Sequence, residues 1–352
     1  MASVTYKCPS CGAYLTFNPD TQKWDCPFCT SIFEENVLFE KAKEYEQQAQ
    51  QSQPNTQPTA DGDQVIYNCP SCGSQIMTSE TTVATNCYYC HNPVVLQGKL
   101  TNEMRPDRVL PFSISKEKAV ESFMAWVKKK RFVPKDFFSK AEVEMMTGVY
   151  YPHFVTDCEI RGTIEGEGRN TNVVNSSKYI TTHTEHYHVK RVADMEFQDI
   201  LRPALTSVNR KLSDGIHPFP INDAKPFSGA YLSGFLAERR DIEQSTISDD
   251  VKNELGSYVK PLLVGDISYA SNTVDSSYAI KEMKTEYVLL PTWVLTYPNK
   301  KDAKNPYYYV MNGRTGEVCG KLPMDKAKIN TTGALIAAGI FIVGCILSYF
   351  FV

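Results

Sequence analysis

The chain has 352 residues, of which 42% are hydrophobic and 22% charged, and its formal net charge is −3. This length suggests about two to three domains, and the apolar fraction is too high for a largely disordered protein. The nearly balanced charge excludes a chain that is basic throughout, as a histone-like DNA binder would be. The 19 glycines and 20 prolines exclude a fibrous class, and 11 cysteines are too few for a secreted scaffold held by disulfides.

The N-terminal sequence, MASVTYKCPS, has neither the apolar stretch nor the cleavage site of a signal peptide. We therefore expect the body of the protein to stay in the cytosol, where thiols remain reduced and can bind metal. Eight of the 11 cysteines lie near this end, in four Cys-x-x-Cys pairs.

These pairs form two copies of one unit. Each cysteine of the first unit recurs 61 residues later, and 14 residues separate the two pairs within each unit. The units, ribbon 1 (1–35) and ribbon 2 (65–100), are too small to bury a core of their own. Four thiolates at this spacing suit one structural Zn²⁺ and leave no open position for catalysis. The sequence predicts two zinc ribbons, with the ligands Cys8, Cys11, Cys26, Cys29, Cys69, Cys72, Cys87 and Cys90.

The residues around the cysteines refine this prediction. We expect Gly12 and Gly73 to adopt positive φ at the exit of the first pair of each ribbon. The spacing differs from iron–sulfur runs, and no βαβ pattern surrounds the pairs as in a thioredoxin-like redox site. His91 directly follows Cys90 and is interpreted as a neighbour of the site instead of a ligand.

Neither ribbon is strongly basic. Ribbon 1 carries Lys7 and Lys23 against four acidic residues, and residues 65–100 contain one lysine and one glutamate. Because nucleic-acid binding requires Lys and Arg to meet the phosphates, the composition argues against nucleic acid as a partner. Tyr88 and Tyr89 then indicate a protein contact or a local core.

Residues 36–64 connect the ribbons. Their composition favours a helix up to about residue 50 and then becomes polar, Gln-rich and interrupted by proline. Such a segment predicts a flexible tether, and therefore ribbons that move partly independently.

Residues 101–330 are long enough for a larger domain of α+β class with a mainly antiparallel sheet. Ser115 is expected to cap a helix that runs to about Lys129. The basic cluster Lys128–Arg131 ends that helix, where we favour a helix-dipole interaction over contact with a membrane surface. Further helices are expected at 232–240 and 246–259, and strands at 149–164, 179–192, 288–297 and 307–318.

No residue of this domain is predicted to be catalytic. His183, His186 and His188 lie close together in sequence, and the last two would share one face of a strand. A metal site there, and with it an enzyme, is a minor alternative to a solvated strand face. The sequence has no phosphate-binding loop, nucleophile elbow or dinucleotide fingerprint, so the chain is predicted to be non-enzymatic.

Residues 333–352 contain no charge, and eleven of these 20 residues are Leu, Ile, Val or Phe. Twenty helical residues span about 30 Å, the thickness of the hydrocarbon core of a bilayer. A core helix of this length would normally show a polar stripe. The run therefore predicts a transmembrane tail anchor, and Lys321, Lys326 and Lys328 before it place the N-terminal body on the cytoplasmic side of the cell membrane.

Five features together resemble a bacterial family named for a TFIIB-type zinc ribbon, whose members are also labelled primosomal or helicase-like. They are the CPSCG knuckles, KPFSGAYLSGFLAERRD (225–241), LLPTWVLTY (289–297), YYYVMNGRTGEVCGKLP (307–323) and the C-terminal membrane segment. The resemblance implies a membrane-anchored accessory protein that acts beside phage-shock-protein A-type proteins or SPFH (flotillin-like) scaffolds. It supplies no catalytic residues, and the missing phosphate-binding loop argues against the helicase label.

The expected function is therefore that of a non-enzymatic adaptor or scaffold at the membrane, which presents protein-interaction modules to the cytosol. The alternative is a membrane-tethered nucleic-acid-binding protein. That alternative requires folding to assemble a basic stripe from residues 101–330.

Overall fold

The computed structural model describes residues 5–39, 57–58, 64–87, 90–96, 104–134, 143, 145–265, 268–269, 271–297 and 307–351. The protein is a mixed α+β structure, with a large sheet, two small sheets in the N-terminal region and one long apolar helix towards the C-terminus. The small sheets consist of β1 (Thr16–Asn18), β2 (Lys23–Asp25) and β3 (Ile32–Phe33), and of β4 (Gln57–Pro58), β5 (Gln64–Asn68) and β6 (Gln75–Ser79).

The large sheet has ten strands within the described residues, in the order β12-β9-β14-β10-β13-β7-β8, with β11 paired to β10 and β15-β16 paired to β14. These strands are β7 (Thr82–Asn86), β8 (Pro93–Val95), β9 (Arg108–Val109), β10 (Thr147–Asn175), β11 (Ile180–Pro203), β12 (Lys225–Pro226), β13 (Leu236–Glu238), β14 (Ser271–Tyr297), β15 (Tyr307–Asn312) and β16 (Val318–Gly320). Most pairs are antiparallel, as the sequence predicts, whereas the β10–β13 and β14–β9 pairs are parallel.

The helices are α1 (Lys116–Lys128), α2 (Arg210–Asp214), α3 (Gln244–Val264) and α4 (Lys326–Phe351). Residues 35–39 are also helical. Ser115 occupies the N-cap position of α1, as expected, although its side chain makes no capping hydrogen bond.

Three strands are much longer than the sequence pattern predicts. β10, β11 and β14 have 29, 24 and 27 residues, whereas strands usually have about 3–10. At about 3.3 Å per residue, β10 extends on the order of 90 Å. For β10 and β14 the sequence pattern detects the inner part (149–164 and 288–297), because the outer residues are polar or exposed on both faces and are held in the sheet by backbone pairing. For β11 it detects the outer part (179–192) and misses residues 193–203, which lie towards the core.

Helix α3 covers one face of these three strands. Its buried residues Val251, Leu255, Val259 and Leu263 recur every four positions and form one apolar stripe. Gly162 permits this close approach, since a Cβ atom there would overlap side chains of the helix and of β11. The opposite face is hydrated and carries ion pairs such as those that Asp194 makes with Arg161 at 2.8 Å and with Lys281 at 2.7 Å.

The helix predicted at 232–240 is absent. A short 3₁₀ helix, Gly229–Leu232, is followed by Gly234 at φ +95° and then by strand β13. The left-handed conformation of Gly234 ends the helical path, and the next residues gain backbone pairing between β10 and β7. We call residues 228–239 the joint segment.

Ribbon 1 packs on the joint segment. The indole Nε1 of Trp24 donates a hydrogen bond to the carbonyl oxygen of Ala230 at 2.9 Å, and the amide of Phe17 donates to the carbonyl of Ser233 at 3.0 Å. The rings of Phe17, Trp24 and Tyr231 lie 5.1–5.3 Å apart and form one aromatic cluster. Trp24 is completely buried as a result.

Ribbon 2 joins the same segment through the sheet. β13 pairs with β7, with Ala237 opposite Ala84. The guanidinium of Arg239 lies 2.7 Å from the Glu80 carboxylate. Both ribbons therefore contact the large domain, and the expectation that they move partly independently is corrected by these contacts. Most of the predicted tether, 40–56 and 59–63, lies outside the described residues.

The docking of ribbon 1 can be tested by truncating its central ring. Trp24→Ala removes a fully buried indole and its hydrogen bond, so we expect a loss of about 3–5 kcal/mol in the free energy of unfolding. Hydrogen exchange at the amides of the joint segment should accelerate at the same time. Phe28→Ala in the same ribbon is the control, because Phe28 is 68% exposed and its truncation should change stability by less than about 0.5 kcal/mol. Equal effects of the two changes would contradict the docking.

Candidate metal centres

The same two backbone hydrogen bonds close all four Cys-x-x-Cys pairs. The carbonyl oxygen of the first cysteine accepts a hydrogen bond from the amide four residues later, and its amide donates to the carbonyl five residues later. These eight bonds are 2.6–3.0 Å long. Because the turn reverses the chain tightly, it directs both sulfur atoms of a pair towards one point.

The residue that follows each pair has positive φ. Gly12 and Gly73 do so at +77° and +76°, as the sequence predicts. In the second pair of each ribbon, Thr30 and His91 occupy the equivalent position at +56° and +59°. Sequence reasoning missed this backbone role because neither residue is glycine. The signal was available in their spacing from the preceding cysteines.

The two pairs of each ribbon bring four sulfur atoms together. In each ribbon all four Sγ atoms lie within 4.8 Å of one another. The separation is 3.5 Å for Cys8–Cys29 and 3.7 Å for Cys69–Cys90. A tetrahedral ion bound at about 2.3 Å requires sulfurs about 3.8 Å apart, so each cluster can hold one metal ion.

The clusters have the same pattern of burial. The first cysteine of every pair is buried, the Cys11 and Cys72 residues are exposed, and Cys29 and Cys90 are partly buried. Hydrogen bonding from Ser31 lowers the pKa of Cys29 to about 6, and Ser74 has the same effect on Cys72. Two ligands are thereby biased towards the thiolate, the form that binds metal.

Burial has the opposite effect on the pKa of other cysteines in the clusters. It raises the pKa of Cys90 to about 12 and also raises that of Cys69. Four thiolates so close together repel one another, and a bound cation removes both penalties. Each cluster is therefore suited to metal when its thiols ionise together on binding.

The histidine-rich stretch does not form such a cluster. Strand pairing places His183, His186 and His188 opposite Asn172, Arg169 and Glu167. Since side chains alternate along a strand, His186 and His188 share a face, as predicted, and His183 lies on the other face. Among the described residues, the groups of metal-binding side chains close enough to share one ion are the two cysteine clusters.

A buried histidine that the sequence does not single out lies in the large domain. His153 places Nδ1 3.2 Å from the carbonyl oxygen of Tyr151 and Nε2 3.0 Å from the hydroxyl of Ser213. Because a carbonyl only accepts, Nδ1 donates and Nε2 accepts the hydroxyl proton. Burial lowers the pKa of His153 to about 4. So weak a base is poorly matched to catalysis at neutral pH, and the pair is a satisfied buried polar contact.

The chain is similar to a protein of Bacillus subtilis (strain 168) named "Uncharacterized protein YdjG". The two are 28% identical over 347 residues, which cover 96% of each chain. The similarity is therefore not confined to the ribbons. No protein-family model matches the chain, and no solved structure matches it significantly.

The positive-φ positions predict opposite effects on metal affinity. Gly12→Ala should weaken metal binding by about 1–2 kcal/mol, because an alanine is strained at this φ although no atom lies within 4 Å of its Cβ. Thr30→Gly should strengthen binding by up to about 1 kcal/mol, because it relieves the same strain. Competition with a chromophoric chelator measures both changes. The control is Gly333→Ala, because Gly333 has open space around it and no positive φ. This control should leave metal affinity unchanged, and a Gly12→Ala protein with the same metal affinity as the control would refute the interpretation.

We expect the stability of the protein to depend on pH through His153. Its pKa is lower in the folded protein, about 4, than its ordinary value of 6.5, so acid favours the unfolded state. The stability that this histidine contributes is complete above about pH 6.5 and is lost as pH falls towards 4, by about 3 kcal/mol in total. Urea unfolding of the wild type and His153→Gln across this range isolates the contribution from that of the cysteine ligands. If the unfolding free energies of the two proteins changed in parallel with pH, the predicted contribution of His153 would be contradicted.

Proposed function

We propose that the protein is a non-enzymatic adaptor that is anchored in the cell membrane by α4 and presents two zinc ribbons to the cytoplasm. The observation that carries this proposal is the joint segment, which attaches both cysteine clusters to the body that ends in the apolar helix. The family resemblance adds partners to the proposal, namely phage-shock-protein A-type or SPFH proteins that organise the response of the membrane to stress.

Zinc is the metal that we propose for both clusters. Tetrahedral sites with four thiolates hold zinc or iron, and zinc is typical of small structural ribbons with two such turns. The burial of one cysteine in each pair supports a structural role. Closed coordination by four sulfurs leaves no position for a substrate, which agrees with a function other than catalysis.

The proposed anchoring depends on α4. Of the helices that the structure describes, α4 is the one that is long and apolar enough to cross a membrane. Its large side chains from Leu335 to Val343 are 56–73% exposed, so the protein body does not cover them. An apolar surface of this size is unfavourable in water and suits the hydrocarbon of a bilayer. The basic residues before it favour a cytoplasmic body.

The exposed surface of ribbon 1 supports a protein partner. Phe28 and Ile32, beside the second cysteine pair, are 68% and 58% exposed, and the metal-binding turn holds them outward. Apolar side chains on a rigid support are typical of protein contacts. Lys23 is paired with Glu34 at 2.9 Å, which leaves little positive charge for a phosphate backbone. We therefore favour a protein over the nucleic-acid alternative.

The proposal predicts the metal content and the role of ribbon 2. The purified full chain should contain two zinc ions, and Cys69→Ser with Cys72→Ser should contain one, as measured by elemental mass spectrometry. This double variant should lose partners in affinity purification from detergent-solubilised membranes and remain in the membrane fraction. Cys319→Ser, outside both clusters, is the control and should retain both ions and all partners.

Other outcomes would overturn parts of the proposal. Retention of every partner by the double variant would contradict recruitment through ribbon 2. A third zinc ion would revive an enzymatic site. Salt-sensitive binding of the chain to DNA or RNA in a gel-shift assay would favour the nucleic-acid alternative.

A further inference from the structure

A cavity lies at the base of α4. It has a volume of about 460 Å³ and lies between the end of α1 and the segment that leads into α4. We call it the membrane-proximal cavity. Its lining residues are Trp126, Lys129, Lys130, Arg131, Phe132, Val133, Gly320, Leu322, Pro323 and Met324.

Two hydrogen bonds fix this cavity to α4. The amide of Asp325 donates to the carbonyl oxygen of Phe132 at 2.7 Å, and the ammonium of Lys328 donates to the carbonyl of Val133 at 2.7 Å. Asp325 also caps α4, because its carboxylate accepts from the amides of Ala327 and Lys328. The cluster Lys128–Arg131 is therefore held beside the first turn of the apolar helix, a position that the sequence alone did not favour.

The wall of the cavity combines positive charge with apolar surface. Lys129, Lys130 and Arg131 are exposed, and within the described part of the chain no carboxylate lies at ion-pair distance from them. The ammonium of Lys130 lies 5.1 Å above the Trp126 ring. Met324 is 72% exposed and forms part of the apolar wall. None of the ten lining residues is acidic.

The position of the cavity relative to a bilayer follows from the helix. Apart from Ile329, residues 326–332 are polar or small, and the uncharged run begins at Gly333. Seven helical residues place the start of α4 about 10 Å from the hydrocarbon. The headgroup layer is about 5–8 Å thick, and lysine and arginine side chains can reach across the remaining distance.

We propose that the membrane-proximal cavity binds the headgroup of an anionic phospholipid from the cytoplasmic leaflet of the membrane that α4 enters. The phosphate would contact the cations of residues 129–131, and the glycerol and upper acyl chain would pack along Trp126 and Met324. A basic cluster next to a membrane helix is suited to anionic lipid, and the apolar wall distinguishes a lipid from a free phosphate. This inference rests on the membrane anchoring proposed above.

Binding of phosphatidylglycerol and phosphatidylcholine to the full chain in detergent micelles tests the proposal. Native mass spectrometry of an equimolar mixture should show preferential retention of phosphatidylglycerol. Changing Lys129, Lys130 and Arg131 together to Gln should weaken phosphatidylglycerol binding at least about tenfold, since each cation near an anionic surface contributes about fivefold. The matched control changes the exposed residues Lys211, Lys225 and Lys260 to Gln and should preserve the preference.

A second pair of variants distinguishes a loss of lipid binding from misfolding of the protein. Met324→Glu places a negative charge at an exposed position of the wall and should abolish the preference, whereas Met324→Gln should retain most of it. Equal binding of the two lipids by the wild type would overturn the inference. Displacement of phosphatidylglycerol by an equal concentration of inorganic phosphate would also overturn it, because the apolar wall would then contribute nothing.

Membrane insertion is measured separately, by extraction of membranes with alkaline carbonate. Release of the wild type into the soluble fraction would contradict the proposed anchoring itself. Retention in the membrane without a lipid preference would contradict only the inference about the cavity.

Discussion

The N-terminal half of the structure depends on one constraint: the negative charge of the clustered thiolates must be neutralised. Four ionised sulfurs within 4.8 Å repel one another strongly unless a cation lies between them. Cys8 and Cys26 also belong to the same group of buried residues as Trp24 and Tyr231. A metal ion bound there stabilises the ribbon and, through these rings, its attachment to the large domain.

The joint segment links both metal-binding ribbons to the large domain. Its carbonyl groups accept hydrogen bonds from ribbon 1, and its strand β13 lies between ribbon 2 and β10. A hydroxyl of ribbon 1, from Thr5, also donates to the carbonyl of Pro93 in ribbon 2 at 2.9 Å. For the adaptor that we propose, this arrangement would present both ribbons in one fixed relation, so that a partner that contacts both would meet a prearranged surface.

The long strands place a different requirement on the sequence. Sheet surface so far from the core must remain soluble on the face that no helix covers. Ion pairs across the strands, such as Lys190 with Glu165 at 2.9 Å, meet this requirement along part of that face. The edge strand β11 carries charged residues along the same stretch, which discourages pairing with the edges of other chains.

The sequence by itself determined the features that arise from local spacing and composition. These include the two clusters of four cysteines, the positive φ of Gly12 and Gly73, and the apolar segment of α4. A tight turn positions two sulfurs over four residues, and an uncharged helix needs no distant partner to be recognised. The α+β class and the mainly antiparallel sheet follow from strand and helix patterns of similar range.

Only the tertiary structure decided what depends on contacts between distant residues. Residues 232–240 have an apolar pattern that suits a helix, yet pairing with β7 and β10 makes part of them a strand. The strand register places His186 and His188 opposite Arg169 and Glu167, and two hydrogen bonds bring Lys128–Arg131 to the base of α4. In each case the deciding partner lies far away in sequence, where periodicity and propensity carry no information.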